Sequence, residues 1–371
     1  MQAQEYSYAL WGLAQRTSGA GAADLRKLVD DGVILRTHAL RPTWHFVAAE
    51  DLGWIQELTG PRVHALNAYY YRQIGLDADT AARTKRLITG ALRGGNHLTR
   101  TELASVLAAG GYPASGPRLG YMVMCAELDG LIANGPMRGK QHTYALVEER
   151  VPAPRALSFD EALAELTRRF FTAHGPATVR DFAWWSSLTM AQIKHGLDLV
   201  GSALTRAEVD GLAVWYDASA PADPPGGAGR AMPVDVPGGA GRAMPADPGL
   251  GDAAGSPAAR DGSPAARGGS PNVLLLQGYD EYVVAYSNTK FVFNPGGVMP
   301  NPGLFTESTM LHAVVIDGQV KGRWRRVPRG KGFAVELDLA EEPTAKVRKA
   351  LDAELARHET YMGVTTEVVR V

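Results

Sequence analysis

Two glutamines, Gln2 and Gln4, stand two residues apart where Met1-Gln2-Ala3-Gln4-Glu5-Tyr6 runs into the helical pattern Tyr8-Ala9-Leu10-Trp11-Gly12-Leu13-Ala14. An amide can neither protonate a departing group nor take a proton from water, work for which sugar hydrolases use paired carboxylates. Two amide carbonyls can hold a water molecule and face a developing positive charge. The pair therefore suits a leaving group that is already cationic and departs neutral. Residues i and i+2 share a side in an extended chain but stand roughly 200° apart in a helix. The glutamines are therefore expected in a loop or at the very start of a helix. So short a pattern also describes an ordinary surface pair, and its meaning depends on what surrounds it.

Other residues with chemical capacity lie far along the chain. His45, in Thr43-Trp44-His45-Phe46-Val47, reads as a buried structural histidine or as an active-site residue, and both readings stand. Asp280 and Glu281, in Tyr279-Asp280-Glu281-Tyr282 after the apolar run Val273-Leu274-Leu275-Leu276, offer carboxylates beside a buried strand. They read as a base near a cleft or as a contact tying the C-terminal section to the rest. Cys125, the one cysteine, sits in an apolar helical pattern and reads as a buried thiol, which removes disulfide frameworks and multi-cysteine zinc sites together.

The elements that must position these groups follow from periodicity and punctuation. Ala23 to Gly32 is a helix with a glycine stop, and Val33 to Val47 alternates as a hairpin. Thr80 to Arg93 is a helix with a basic face, Thr99 and Glu102 cap another, and Gly116 to Ile132 supplies a third. A hairpin from Asn134 to Leu146 turns at Gly139 between Arg138 and Lys140. Helices are expected from Ser158 to Ala173, from Ala177 and from Thr189, with a hairpin from Leu204 to Tyr216. Trp184 and Trp185 read as core rather than as stacking platforms. Between Ala218 and Pro271 the composition shifts to Pro, Gly, Ala, Asp and Arg, and Pro225 to Pro233 recurs as Pro237 to Pro245. That segment offers too little apolar surface to offset its chain entropy and reads as a disordered insert. Order returns with strands around a turn at Asp317-Gly318 and an amphipathic helix from Thr344 to Thr360.

Taken in order, Gln2-Ala3-Gln4, the block Leu40-Arg41-Pro42-Thr43-Trp44-His45-Phe46, the block Leu274 to Tyr282, and Gly322-Arg323-Trp324-Arg325-Arg326 resemble one known family. It is the bacterial winged-helix DNA-binding family that includes the alkylpurine DNA glycosylases which unhook interstrand crosslinks. The resemblance covers almost the whole chain apart from the insert. It places the family's Gln-Φ-Gln on Gln2, Ala3 and Gln4 and its Thr-x-His on Thr43 and His45. It implies catalysis by Gln2, Gln4 and His45 and excision of cationic N-alkylpurines from double-stranded DNA, with no cofactor and no metal. It also implies a helix ahead of the glutamines. The sequence begins one residue before them, which leaves either a start assigned too far downstream or a first domain without its first helix.

The expected fold is α+β: three tandem winged helices at 1–75, 76–152 and 153–217, the insert at 218–271, and a C-terminal α+β cap with a β-hairpin at 272–371. Wing and hairpin cations, Arg138, Lys140, Lys321, Arg323, Arg325 and Arg326, are the expected phosphate contacts. The net charge of −1 denies the protein a global basic field, so any nucleic-acid surface has to be local. No stretch has the length of a membrane span and no signal peptide opens the chain, so the expectation is a cytoplasmic, nucleoid-associated monomer. The rival class is a winged-helix regulator that binds DNA without catalysis.

Overall fold

A computed structural model describes residues 1–151, 153–220, 270–289, 292, 294, 298, 312–330, 332–364 and 366–370. The low-complexity insert expected at 218–271 thus falls, for residues 221–269, outside the described residues. The first section carries helices α1 (Tyr6–Ala14) and α2 (Ala22–Asp30), strands β1 (Ile34–His38) and β2 (Trp44–Ala48), and the 22-residue α3 (Leu52–Gln73). The hairpin pairs Thr37 with His45. The expected elements did not include α3. It packs on the next section through Gly60, where a Cβ would come within 2.7 Å of the Leu128 carbonyl.

The second section holds α4 (Ala78–Leu92), β3 (Leu98–Thr99), α5 (Arg100–Ala109), α6 (Gly116–Leu128), β4 (Ile132–Asn134), β5 (Thr143–Leu146) and the short α7 (Val147–Arg150), with its strands in the order β3-β5-β4. The third holds α8 (Phe159–His174), α9 (Val179–Ser186), α10 (Met190–Val200) and the hairpin β6 (Thr205–Val209) with β7 (Leu212–Tyr216). Capping boxes start the helices where the sequence placed them: Thr99 with Glu102, Ser158 with Glu161, Thr178 with Asp181 and Thr189 with Gln192.

After the insert come β8 (Val273–Leu276), α11 (Glu281–Val284), β9 (His312–Ile316), β10 (Gln319–Arg329), β11 (Gly332–Leu339), α12 (Ala345–Met362) and β12 (Thr366–Arg370). The sheet order is β12-β11-β10-β9-β8, with β12 parallel to β11 and the other pairs antiparallel. Asp317 and Gly318 both take positive φ at the β9–β10 turn, as a two-residue Asp-Gly hairpin loop requires.

Burial divides the molecule differently from the sequence. The second section has a core of its own around Ile88, Leu92, Leu103, Leu107 and Met122. The first section does not: Leu10, Trp11 and Leu25 pack in one cluster with Val273, Leu275, Trp324, Leu351 and Leu355. The Trp11 indole donates to the Leu275 carbonyl at 2.7 Å and Gln15 donates to Glu354 at 2.9 Å, which sews α1 to the C-terminal sheet and α12. Among the described residues no helix is long and apolar enough to cross a membrane.

Candidate active site

Residues Met1 to Ala3 form a short third strand against β2: Ala3 N–H donates to the Trp44 carbonyl at 2.7 Å and Phe46 N–H to the Met1 carbonyl at 2.8 Å. Gln2 therefore stands directly across from His45 in an antiparallel bridge, and bridge partners project from the same face. After Ala3 the chain turns away, and the Gln4 side-chain carbonyl accepts the Trp44 N–H at 2.8 Å. Both glutamines precede α1, as the spacing argument requires.

Gln2 is buried and held on every side. Its N–H donates to Glu281 Oε1 at 2.7 Å, its backbone carbonyl accepts Gln277 Nε2 at 3.1 Å, and its side-chain carbonyl accepts Arg41 Nη2 at 2.9 Å. A carbonyl oxygen has two lone pairs. Among the described residues the side-chain oxygens of Gln2 and Gln4 each accept from a single donor, and each keeps capacity for a water.

His45 lies fully inside the protein. The Thr43 carbonyl can only accept, so at 2.9 Å it fixes the proton of His45 on Nδ1. Nε2 then carries a bare lone pair, with no hydrogen-bond partner among the described residues. Burial pushes the His45 pKa down to about 3, and Arg41 adds to the effect. The imidazole is neutral near pH 7. Of the two sequence readings, burial is the one the geometry meets directly, and the open Nε2 beside Gln2 keeps the second.

Glu281 and Asp280 take different parts. Asp280 is paired bidentately with Arg16, just past the end of α1, at 2.9 and 2.7 Å, and it caps α11 through the Tyr282 N–H. Glu281 turns to the glutamine: Oε1 accepts from Gln2, Oε2 accepts from the Trp185 indole at 2.7 Å, and His174 Nε2 lies 3.6 Å from the same oxygen. Burial alone would raise this carboxyl, but the His174 contact and nearby positive charge outweigh it and hold Glu281 well below the usual carboxylate range. Trp185 is buried, as a core residue should be, while Trp184 is half-buried with its indole on the Val284 carbonyl at 2.9 Å. Arg41, His174, Gln277 and Trp185 are the participants whose roles here the sequence did not reveal. Gln277 alone carried a signal, a polar side chain ending an apolar strand.

The expected phosphate contacts divide. At the β4–β5 hairpin Gly139 has φ 65° and Lys140 is exposed, while Arg138 binds Glu102 at 2.7 Å and the His97 carbonyl. On β10, Lys321, Arg323 and Arg325 project from one face, where Arg323 is held by the Val298 carbonyl at 2.7 Å and Arg325 by Glu336 at 2.6 Å. Arg326 leaves from the other face, with its guanidinium 3.7 Å from the centre of the Tyr8 ring and bonded to Ser7. The four residues are not one patch, because successive strand residues alternate sides.

One group, His64, Cys125 and Asp129, brings three metal-capable atoms within 4.8 Å. The donors do not suit an ion. His64 is bonded to both Tyr71 and Asp129, Asp129 is paired with Lys85, and burial pushes the Cys125 thiol up to about 11.

Comparison with known proteins adds three findings. A family model described as DNA glycosylase AlkZ-like matches residues 1–361. An interstrand DNA cross-link repair glycosylase of Streptomyces sahachiroi is 26% identical over 226 residues, which is 57% of this chain and 59% of that protein. The chain thus aligns with under two thirds of that relative's length. The solved structure of the Streptomyces sahachiroi DNA glycosylase AlkZ has a TM-score of 0.70 at 21% identity, covering 100% of this chain and 91% of that one, a likeness of fold.

Proposed function

Because the chain belongs to the AlkZ-like DNA glycosylase family, we propose that it hydrolyses the N-glycosyl bond of purines alkylated on a ring nitrogen in duplex DNA, including those tethered in interstrand crosslinks. The three sections of helices followed by a hairpin are read as tandem winged helices that follow the backbone of one duplex. A single observation carries the reading: the buried Gln2 stands across from His45 on one face, with Gln4 beside it, and the carboxylate nearest to them is already bound to nitrogen donors.

That arrangement suits a base that needs no proton. As the bond from the sugar to the cationic purine breaks, the electron pair goes to the base, which departs neutral, and the sugar carries the positive charge. Water held by the amide carbonyls of Gln2 and Gln4 adds to the sugar carbon and releases its proton to solvent. The neutral His45 adds no positive charge to oppose the oxocarbenium character. Undamaged nucleosides and uracil lack a cationic leaving group, and this site supplies no acid to replace one.

The test is incubation with a duplex carrying 7-methylguanine, followed by alkali cleavage at abasic sites. Strand breaks at the lesion, and none in an unmodified or uracil-containing duplex, are expected. Normal binding without excision would leave the non-catalytic regulator standing.

A further inference from the structure

We infer that Glu281, although a carboxylate touching Gln2, is not the base of the reaction but the positioning residue that sets where Gln2 stands. The inference rests on the reading of Gln2 as the residue that orients water. Each oxygen of Glu281 is held by an N–H donor, the Gln2 backbone on one side and the Trp185 indole on the other, both at 2.7 Å. A proton taken from water would neutralise the carboxylate and weaken both bonds, each of which is charge-assisted, at two buried donors with no other acceptor to turn to among the described residues. A carboxylate held this way is suited to placing atoms: two charge-assisted bonds of fixed length link residue 2 to α9 through the first turn of α11.

The surroundings fix α11 as well. Asp280, the preceding residue, is locked to Arg16 just past the end of α1, and the Val284 carbonyl at the far end accepts from Trp184 and lies 3.5 Å from Arg41 Nη1. Arg41 also holds the Gln2 side-chain carbonyl, so the backbone and the amide of Gln2 are both referred to this four-residue helix. A shift of Gln2 by about 1 Å costs on the order of a hundredfold in rate when geometry is what the residue supplies.

The experiment separates position from charge. On the 7-methylguanine duplex under single turnover, Glu281→Gln should lower the rate about a hundredfold. Its amide can still accept from Gln2, but its NH₂ then faces the Trp185 N–H, donor against donor. Glu281→Gln/Trp185→Phe removes that clash while leaving the uncharged amide, and should recover about tenfold of the lost rate, with duplex affinity unchanged in both variants. The Gln2 amide proton in ¹⁵N-glutamine-labelled protein should move upfield in Glu281→Gln and return part of the way in the double variant. A double variant no faster than Glu281→Gln, with the Gln2 signal restored, would assign the role to charge and overturn the inference. So would a wild-type rate in Glu281→Gln, or a rate loss matched by the loss of folded protein. If the wild-type protein excises nothing, the proposed function fails. The Gln2 signal then still decides whether Glu281 and Trp185 place that residue.

Discussion

The floor around Gln2 and the basic hairpins are both rich in polar groups, and they hold them in opposite ways. In the floor the bonds are buried and join residues far apart in sequence, 279 positions for Gln2 and Glu281. On the hairpins they are exposed and span shorter separations: Arg325 binds the residue paired with it across the strands, 11 positions away, and Arg138 binds Glu102, 36 positions away, with both side chains about half exposed. Exposed pairs of this kind contribute ~0 to 1 kcal/mol and exchange readily for another anion such as a phosphate. Buried bonds of the first kind leave an unsatisfied group when broken and fix geometry instead. The proposed chemistry thus falls among groups held by buried bonds, and the proposed phosphate contacts of Arg138 and Arg325 among cations whose present bonds are exposed.

Acid should have the largest effect, on the buried side: the surroundings of Gln2 through His45 and the core beneath α1 through His312 and His358. His45, His312 and His358 are held neutral by burial, each with its pKa down to about 3. A folded pKa below the unfolded value of about 6.5 means that the unfolded chain binds more protons between those limits. The stabilisation is complete above pH ~6.5 and is lost as pH falls toward 3, at up to about 1.4 kcal/mol per pH unit for each histidine. Thermal melting between pH 7 and pH 4 should show the fall, and a flat profile would contradict it.

The next largest effect should come from Gln2→Ala and Gln4→Ala, each lowering base excision about a hundredfold if a carbonyl supplies ~3 kcal/mol to the transition state. Duplex affinity should hold, because two uncharged residues add little to a phosphate-dominated interaction. Equal losses in rate and affinity would erase the contrast between the two regions. Replacing Lys321, Arg323 and Arg325 together by alanine should do the reverse: weaker binding to unrelated duplexes, a log-log salt slope shallower by up to about 0.9 for each phosphate no longer neutralised, and an unchanged excision rate at saturation. Arg326→Ala sharpens the test, since its stacking on Tyr8 predicts a lower melting temperature rather than weaker binding. Smallest of all should be the effect of deleting residues 221–269, whose composition offers no core, with stability kept within about 1 kcal/mol by calorimetry.

What the sequence made legible was local. Thr99, Ser158, Thr178 and Thr189 announce helix starts because each bonds within three residues, and Asp317-Gly318 announces a hairpin because only a few residues tolerate that turn. The same period-two rule that grouped Lys321, Arg323 and Arg325 already excluded Arg326, which a reading by charge alone kept with them. The clamp on Gln2 was not legible: Arg41, Glu281, Trp185 and Gln277 meet there from separate parts of the chain, and no periodicity encodes a contact across 96 or 279 positions. His45 stood open for a related reason. Its residue type gave two roles, and the bare Nε2 that bears on the choice depends on the Thr43 carbonyl and on burial.

The shared core of α1 and α12 has a consequence for how the protein is made. Gln15 meets Glu354 across 339 residues, and at roughly 5–20 residues per second a ribosome needs on the order of tens of seconds to deliver the second after the first. Until β8 and the strands after it emerge, Trp11 and Leu10 have no sheet to cover them, while the second section, with its own core, can close as it emerges. The nascent chain thus carries its glutamines long before Gln277 and Glu281 emerge to complete the cradle around them. A prematurely terminated chain would hold every residue of the Gln-Φ-Gln motif and its partners on β2, but not the Glu281 and Gln277 contacts that hold Gln2 from the other side.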